Sequence, residues 1–101
     1  MGATTLLASQ TAAAQSLDVI VTKDNLPYTF SCTPVLAGTE KATLQLKDNA
    51  GGYSDFYQDG ILQELGATNM AVSIFGPAIF RIDKDITATA TAVIGQSHGN
   101  I

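Results

Sequence analysis

Short apolar runs alternate with turn residues along most of the chain, and this pattern predicts an all-β protein. The runs are five to nine residues long, are rich in β-branched and aromatic residues, and are bounded by Gly, Pro, Asn and Asp. They are LDVIVT (17–22), YTFSCT (28–33), KATLQLKD (41–48), YSDFYQ (53–58), ILQEL (61–65), NMAVSIF (69–75), AIFRID (78–83) and TATATAVIG (87–95). Their spacing is typical of a small antiparallel β-sandwich or barrel of seven to eight short strands.

Two connections between these runs carry clear turn signals. Asp59-Gly60 separates two short apolar runs, and Asp-Gly in that setting is typical of a β-hairpin. Gly76-Pro77 predicts a corner between two strands, because Gly tolerates backbone angles that a Cβ would forbid and Pro cannot donate to a central ladder.

The run 78–83 carries large apolar side chains on both of its faces. Strand alternation puts two sets of residues on opposite sides: Ala78, Phe80 and Ile82 on one, and Ile79, Arg81 and Asp83 on the other. Residues 19–21 are apolar on both faces as well. Strands of this kind are covered on both sides, and in a small chain the second cover is often another subunit or a terminal arm.

The first 16 residues differ from the rest of the chain, because Ala, Thr, Ser and Gln dominate and no side chain is charged. We therefore predict an N-terminal arm over 1–16, a β-sandwich domain over 17–95 and a flexible C-terminal tail over 96–101. Leu6 and Leu7 are the side chains that the arm has to bury, and they are candidates for a subunit interface. A helix, or a place in the core, stays open for this segment.

Composition narrows the possible partners. The chain has 101 residues, enough for one domain, and only 14% of them are charged, against about 25% in an average domain. A surface with so few charged residues suggests that part of it is covered by another molecule or segment. The net charge is −4 and the five cations are dispersed, which argues against direct nucleic-acid binding. Neither a signal peptide nor a membrane span of ~20 apolar residues is recognisable, so we expect no membrane partner.

Catalytic and metal-binding signals are poor. His98, the chain's one histidine, lies near the end in a Gly-flanked tail that could not hold it in a fixed catalytic geometry. Cys32 is the one cysteine and lies in a strand-like run, where a small buried side chain is the ordinary role. We therefore expect no enzyme, no cofactor and no metal site.

Two ligands remain possible for the acidic segment 48–59: calcium and a sugar. Its carboxylates suit calcium, although their spacing departs from the EF-hand pattern, and turn formation is the simpler role. Tyr53 and Tyr57 beside Asp55 would suit a sugar, because aromatic faces with polar neighbours bind sugar rings. A carbohydrate-binding or tail-associated adhesin module is therefore the alternative function, with a small hydrolase ranked behind it.

Residues 42–95 carry a recognisable order of motifs. They are ATLQLKD, the turn GGYSDF, DG, ELGATN, IFGP, IFRIDKD and a closing strand that ends VIG. In this order the chain resembles small β-rich virion structural proteins of tailed bacteriophages and prophages. That group commonly has Gly-Tyr-Arg after the Gly-Pro, whereas Ala78, Ile79 and Phe80 precede Arg81 here.

The resemblance implies a virion structural role, with capsid decoration (cement) as the first choice. It implies a homo-oligomer, with a trimer expected, that binds the major capsid protein on the virion surface after synthesis in the host bacterial cytoplasm. Arg81, the chain's one arginine, would fix a contact rather than take part in a reaction, with Asp83 and Asp85 as its expected partners. The interface candidates are Leu6, Leu7, Ile79, Arg81 and Asp83.

Overall fold

Two β-sheets packed face to face, together with a separate two-stranded ribbon formed by Tyr57–Gln58 and Ile61–Leu62, make up the computed structural model, which describes residues 3–34 and 36–97. The strands are β1 Ala3–Gln10, β2 Ala14–Gln15, β3 Val19–Val21, β4 Tyr28–Thr33, β5 Ala42–Lys47, β6 Tyr53–Asp55, β7 Tyr57–Gln58, β8 Ile61–Leu62, β9 Glu64–Leu65, β10 Ala71–Ile74, β11 Ala78–Lys84 and β12 Thr91–Ser97. One sheet has four strands in the order β1-β12-β4-β10. The other has six, with β2 and β3 on one side of β11 and β5 on its other side, followed by β6 and β9.

The antiparallel all-β sandwich predicted from the sequence is confirmed. β4 has the bounds that the apolar run predicted, and Asp59 and Gly60 form the β7–β8 turn with φ of 52° and 78°. The described residues contain more strands than predicted, because 53–58 and 61–65 each break into two short pieces and the N-terminal segment contributes two more. Gly76 does lie at a corner, but its φ is not positive and a Cβ would meet no atom there.

The segment predicted as an arm belongs instead to both sheets. β1 pairs with β12, and β2 pairs with β11. Leu7 lies opposite Val93 and is buried, so it is a core residue rather than an interface residue, while Leu6 packs partly against the same core. Two register irregularities, between Thr5 and Leu7 and between Leu7 and Gln10, break the period-two pattern that would have revealed a strand.

The predicted C-terminal tail begins too early. Gln96 and Ser97 are the last residues of β12, and they lie opposite Thr29 and Tyr28. Residues 98–101, including His98, lie outside the described residues.

The core lies between the two sheets and contains a row of aromatic rings. Phe30 of β4 and Phe80 of β11 meet edge to face with centroids 6.2 Å apart. Phe56 lies 5.0 Å from Phe80, and Tyr28 lies 5.1 Å from Phe30. The side chains that fill the space around them include Leu36, Leu44, Leu65, Ile74, Ile82 and Val93. The Phe30–Phe80 pair therefore joins one sheet to the other.

Lys84 is buried although it carries a charge. It follows Phe80 and Ile82 on the inner face of β11, and its Nζ donates to the carbonyl oxygen atoms of Ala12, at 2.8 Å, and Asp85, at 3.0 Å. Burial lowers the pKa of Lys84. This ammonium group fastens the β1–β2 connection to the end of β11.

Charge is segregated between the sheets. The four strands of the smaller sheet, ATTLLASQ, TAVIGQS, YTFSCT and AVSI, contain no charged residue. The charged strand residues of the described chain all belong to the six-stranded sheet: Lys47, Asp55, Glu64, Arg81, Asp83 and Lys84. Within the strands of the described chain, charged side chains are therefore confined to one sheet.

Replacing Leu7 tests whether β1 is part of the core. Leu7→Ala should lower the free energy of unfolding by about 2 kcal/mol or more, because the lost side chain leaves a cavity against Val93. Urea denaturation would measure the change, with Thr5→Ala, at an exposed position of the same strand, as the control. Equal urea midpoints for the two variants would mean that residues 3–10 are an arm outside the core.

Gly95 should be intolerant of a side chain. A Cβ at this position would overlap the Tyr28 side chain, with ring carbon atoms at 2.8 Å. Gly95→Ala should cost about 1 to 3 kcal/mol of unfolding free energy. In a Tyr28→Ala background the same change should cost little, and a double-mutant cycle by urea denaturation measures the difference. An equal cost in both backgrounds would exclude the overlap as the cause.

Candidate functional site

A bulge at the edge of the six-stranded sheet shapes its outer face. Residues 16–18 lie opposite only two residues of β11, 81–82, because β2 and β3 pair with β11 in registers that differ by one. Ser16 keeps the ladder intact: its N–H donates to the Ile82 carbonyl and its Oγ accepts from the Ile82 N–H, both at 2.9 Å. The extra residue brings the Asp18 side chain over the outer face.

Asp18 is the centre of a polar group that we call the outer-face cluster: Asp18, Lys47, Tyr53 and Arg81. The Asp18 carboxylate accepts hydrogen bonds from the Tyr53 hydroxyl and from Lys47 Nζ, the latter at 2.9 Å. Lys47 and Tyr53 are cross-strand neighbours on β5 and β6. The Arg81 guanidinium covers the Tyr53 ring, with Cζ 3.7 Å from the ring centroid, which is cation–π geometry.

A row of side-chain hydrogen bonds crosses the same face. Arg81 Nε donates to Gln45 Oε1 at 2.8 Å, and Arg81 Nη1 donates to Gln15 Oε1 at 3.3 Å. Gln45 Nε2 in turn donates to Asp55 Oδ1 at 3.2 Å. The row links four strands, β2, β11, β5 and β6, so it stabilises the outer face across the strand direction.

The partners of Arg81 are not those expected from the sequence. Asp83 and Asp85 lie further along the same chain segment, whereas the arginine side chain extends across the sheet to neighbouring strands. Asp85 Oδ2 instead accepts a hydrogen bond from the Lys41 backbone N–H at 3.2 Å. The sequence order of a strand does not show which strands lie beside it, so this contact required the sheet topology.

The outer-face cluster holds one fixed protonation state. The Tyr53 hydroxyl and the Lys47 ammonium lower the pKa of Asp18. The same hydrogen bonds raise the pKa of Tyr53 and the pKa of Lys47, because Asp18 favours their protonated forms. At neutral pH the cluster therefore contains a carboxylate, a phenol and an ammonium group, which suits a contact surface better than proton transfer.

The sugar-site candidates are only partly brought together. Tyr53 and Asp55 share the outer face of β6. However, Arg81 covers one face of the Tyr53 ring, and the Gln45 side-chain amide donates a hydrogen bond to the Asp55 carboxylate. Tyr57, 57% exposed, belongs to the separate β7–β8 ribbon. Within 3–34 and 36–97 the chain encloses no pocket.

Of the interface candidates, Ile79, Arg81 and Asp83 do share the outer face of β11, where each is half-buried. Ile79 lies opposite Ile20 of β3, whose side chain is 67% exposed. Leu17, at the bulge, is 88% exposed. Ile20 and Ile79 therefore form an apolar patch beside the outer-face cluster, and the exposed Leu17 precedes Asp18 in the bulge.

Two site residues could have been found from the sequence and one could not. In the run 41–48, apolar Ala42, Leu44 and Leu46 alternate with polar residues that include Gln45 and Lys47, and such alternation is typical of a strand with one exposed face. Asp18 lies in the apolar run 17–22, and its position depends on the bulge, for which that run carries no signal.

The acidic side chains of the described residues are spread out or engaged in turns rather than gathered into a metal-binding group. In the part of the chain that the structure describes, no group of three or more His, Cys, Asp or Glu side chains could hold a metal ion. The acidic residues of 48–59 serve as turn formers in part: Asp48 Oδ1 accepts from the backbone N–H groups of Ala50 and Gly52. No helix among the described residues has the length and apolar character to cross a membrane.

Comparison with known proteins places the fold. No family model matches the chain, and a search of curated proteins gives no match. Among solved structures, the chain is similar to the SPBc2 prophage-derived protein YomS, with a TM-score of 0.62 over 93% of this chain and 88% of that chain. The two sequences are 14% identical. At that identity the similarity shows a shared fold.

The hydrogen bond from Tyr53 to Asp18 can be tested by titration. Removing the carboxylate charge in Asp18→Asn should lower the pKa of Tyr53 toward its ordinary value. The pKa of Tyr28 is raised by burial, so it should not change and serves as the control. NMR titration of the two tyrosine rings measures both, and an unchanged Tyr53 pKa would contradict the contact.

The same contact has a consequence for stability. The pKa of Tyr53 is raised in the folded state. The hydrogen bond from Tyr53 therefore contributes fully to the free energy of unfolding below the unfolded pKa of 10.0, and this contribution is lost as the pH rises through the folded pKa. The pKa of Asp18 is lowered in the folded state. The Asp18 carboxylate therefore contributes fully to the free energy of unfolding above the unfolded pKa of 3.8, and this contribution is lost as the pH falls through the folded pKa.

Proposed function

We propose that this chain is a non-catalytic structural protein of a tailed-phage or prophage particle, and that it acts as a capsid decoration protein. The observation that carries the proposal is the fold shared with a prophage-derived protein over nearly the whole of both chains. The order of motifs in 42–95 supports it independently, because it resembles that of small virion structural proteins.

A binding role, rather than a catalytic one, fits the chemistry of the outer face. Asp18, Lys47 and Tyr53 satisfy one another, and Arg81 is held by Tyr53 and Gln45. Arginine and tyrosine held in place beside exposed aliphatic side chains are typical of the centre of a protein–protein interface. The outer-face cluster and the apolar patch are thus suited to bind another protein.

In this proposal the outer face of the six-stranded sheet binds the major capsid protein. Ile79, Arg81 and Asp83 lie within this surface, and Ile20 and Leu17 extend it at the sheet edge. The protein is made in the host bacterial cytoplasm, forms a homo-oligomer and attaches to the virion surface. Repeated attachment on a capsid lattice would strengthen a contact that is modest for one copy.

Co-sedimentation with capsids of the encoding phage or prophage tests this proposal, with Ile20→Asp as the variant. A carboxylate in the apolar patch should weaken binding roughly tenfold or more, since burying an unpaired charge costs more than 1.4 kcal/mol. Ile61→Asp is the matched control, because Ile61 is 65% exposed against 67% for Ile20 but lies on the β7–β8 ribbon.

Other outcomes would overturn the proposal. Loss of binding in the Ile61 variant alone would move the contact to the β7–β8 ribbon. A protein that ignores capsids but is retained on a glycan array would favour the carbohydrate-binding alternative, and Tyr57→Ala would then be the variant that removes retention. A monomer with neither property would exclude both functions.

A further inference from the structure

Of the four sheet edges, three are guarded against pairing with another strand. At β10, the Gln58 side chain of the β7–β8 ribbon donates to the Ser73 carbonyl at 3.0 Å. At β2 and β3, the bulge at 16–18 interrupts the edge. At the remaining edge, β6 has three residues and β9 has two, and each carries an acidic side chain, Asp55 or Glu64. Covering elements, bulges and short edge strands are devices by which proteins prevent edge-to-edge association.

The fourth edge, β1, lacks most of these devices. Within the described residues β1 has eight residues and pairs on one side only, with β12. It contains neither proline nor a charged side chain. Its register with β12 is regular from Ala3 to Thr5, and the two irregularities follow after Thr5. Ala3–Thr5 is therefore an exposed stretch of regular strand whose outer backbone groups remain available for pairing.

We infer that β1 pairs, through Ala3–Thr5, with β1 of a second copy of this chain. The two strands run antiparallel about a two-fold axis, so that two four-stranded sheets join into one continuous sheet of eight. An isologous contact of this kind is self-complementary, because each strand presents the same backbone groups to the other.

The absence of charged residues from the strands of the four-stranded sheet favours a second copy as the partner. Each chain carries a net charge of −4, which opposes association of identical molecules. In this arrangement the contact forms between the uncharged sheets, while the charged strand residues of both copies remain on the other sheets. The joined edges therefore bring no like charges together.

The guarded edges decide the symmetry. A head-to-tail ring would need β1 to pair with a different open edge of the next copy, and the other three edges are covered, bulged or short. When β1 pairs with β1 of a second copy, the open edges of both copies are used, so assembly stops at a dimer. Pairing through β1 thus forms a dimer, whereas the family resemblance implies a trimer. This dimer does not depend on the proposed binding to capsids.

Thr5→Lys tests the pairing. Thr5 is exposed on the regular part of β1, and lysine at a sheet edge opposes pairing. Sedimentation equilibrium should give a dimer for the wild-type protein and a dimer dissociation constant at least ~10-fold higher for the variant, the size expected for ~1.4 kcal/mol. Thr33→Lys is the control: Thr33 is exposed on β4, an interior strand of the same uncharged sheet.

Hydrogen exchange provides a second measurement that does not depend on a variant. The amide groups in Ala3–Thr5 that point away from β12 should be protected at concentrations where the dimer forms and should lose protection on dilution. A wild-type monomer, an unchanged dissociation constant in Thr5→Lys, or equal effects of both lysines would each overturn the inference. A dimer that does not bind capsids would support the inference while overturning the proposed function. A monomer that binds capsids would overturn the inference and the proposed homo-oligomer while supporting capsid decoration.

Discussion

The contact between Phe30 and Phe80 is the constraint on which the rest of the molecule depends. These rings join the two sheets, and each fixes the face that its strand turns inward. Because side chains alternate along a strand, placing Phe80 inside places Arg81 outside, and a slip of one residue would reverse both. The outer-face cluster is thus positioned by the core, and its arginine lies over Tyr53 only because the phenylalanine beside it is buried.

Hydrophobic patterning predicted the sandwich because most strands bury one face and expose the other. It predicted β4 to its bounds, most of β5, whose apolar and polar residues alternate regularly, and most of β11, whose run is rich in apolar residues and follows the Gly76-Pro77 turn signal. It failed for β1 and for Asp18 for one physical reason: register irregularities break the alternation in both places. It also failed for the partners of Arg81, because strand order within a sheet is set by topology rather than by local pattern.

Composition told us that charge was scarce, and topology showed how the scarcity is distributed. The uncharged strands come from four separate parts of the chain, and the fold assembles them into one sheet. A surface of Thr, Ser and Ala side chains is polar enough to remain hydrated, yet it offers no ionic barrier to a neighbouring molecule. On the opposite sheet, three of the charged strand residues form side-chain hydrogen bonds: Lys47 with Asp18, and Arg81 and Asp55 with Gln45.

The pairing of β1 with β12 also has a consequence for how the protein is made. The first and last strands of the described chain are neighbours, with Ala3 opposite Gln96. During translation β1 leaves the ribosome before β12 has been synthesised, so the four-stranded sheet cannot be completed until residues 91–97 have also emerged. Such long-range pairing slows folding, since loop closure precedes any stabilising contact. An uncharged strand that is still unpaired is prone to associate with other nascent chains. The lack of charged side chains on β1 therefore makes the interval before β12 emerges the period of greatest exposure to misassembly.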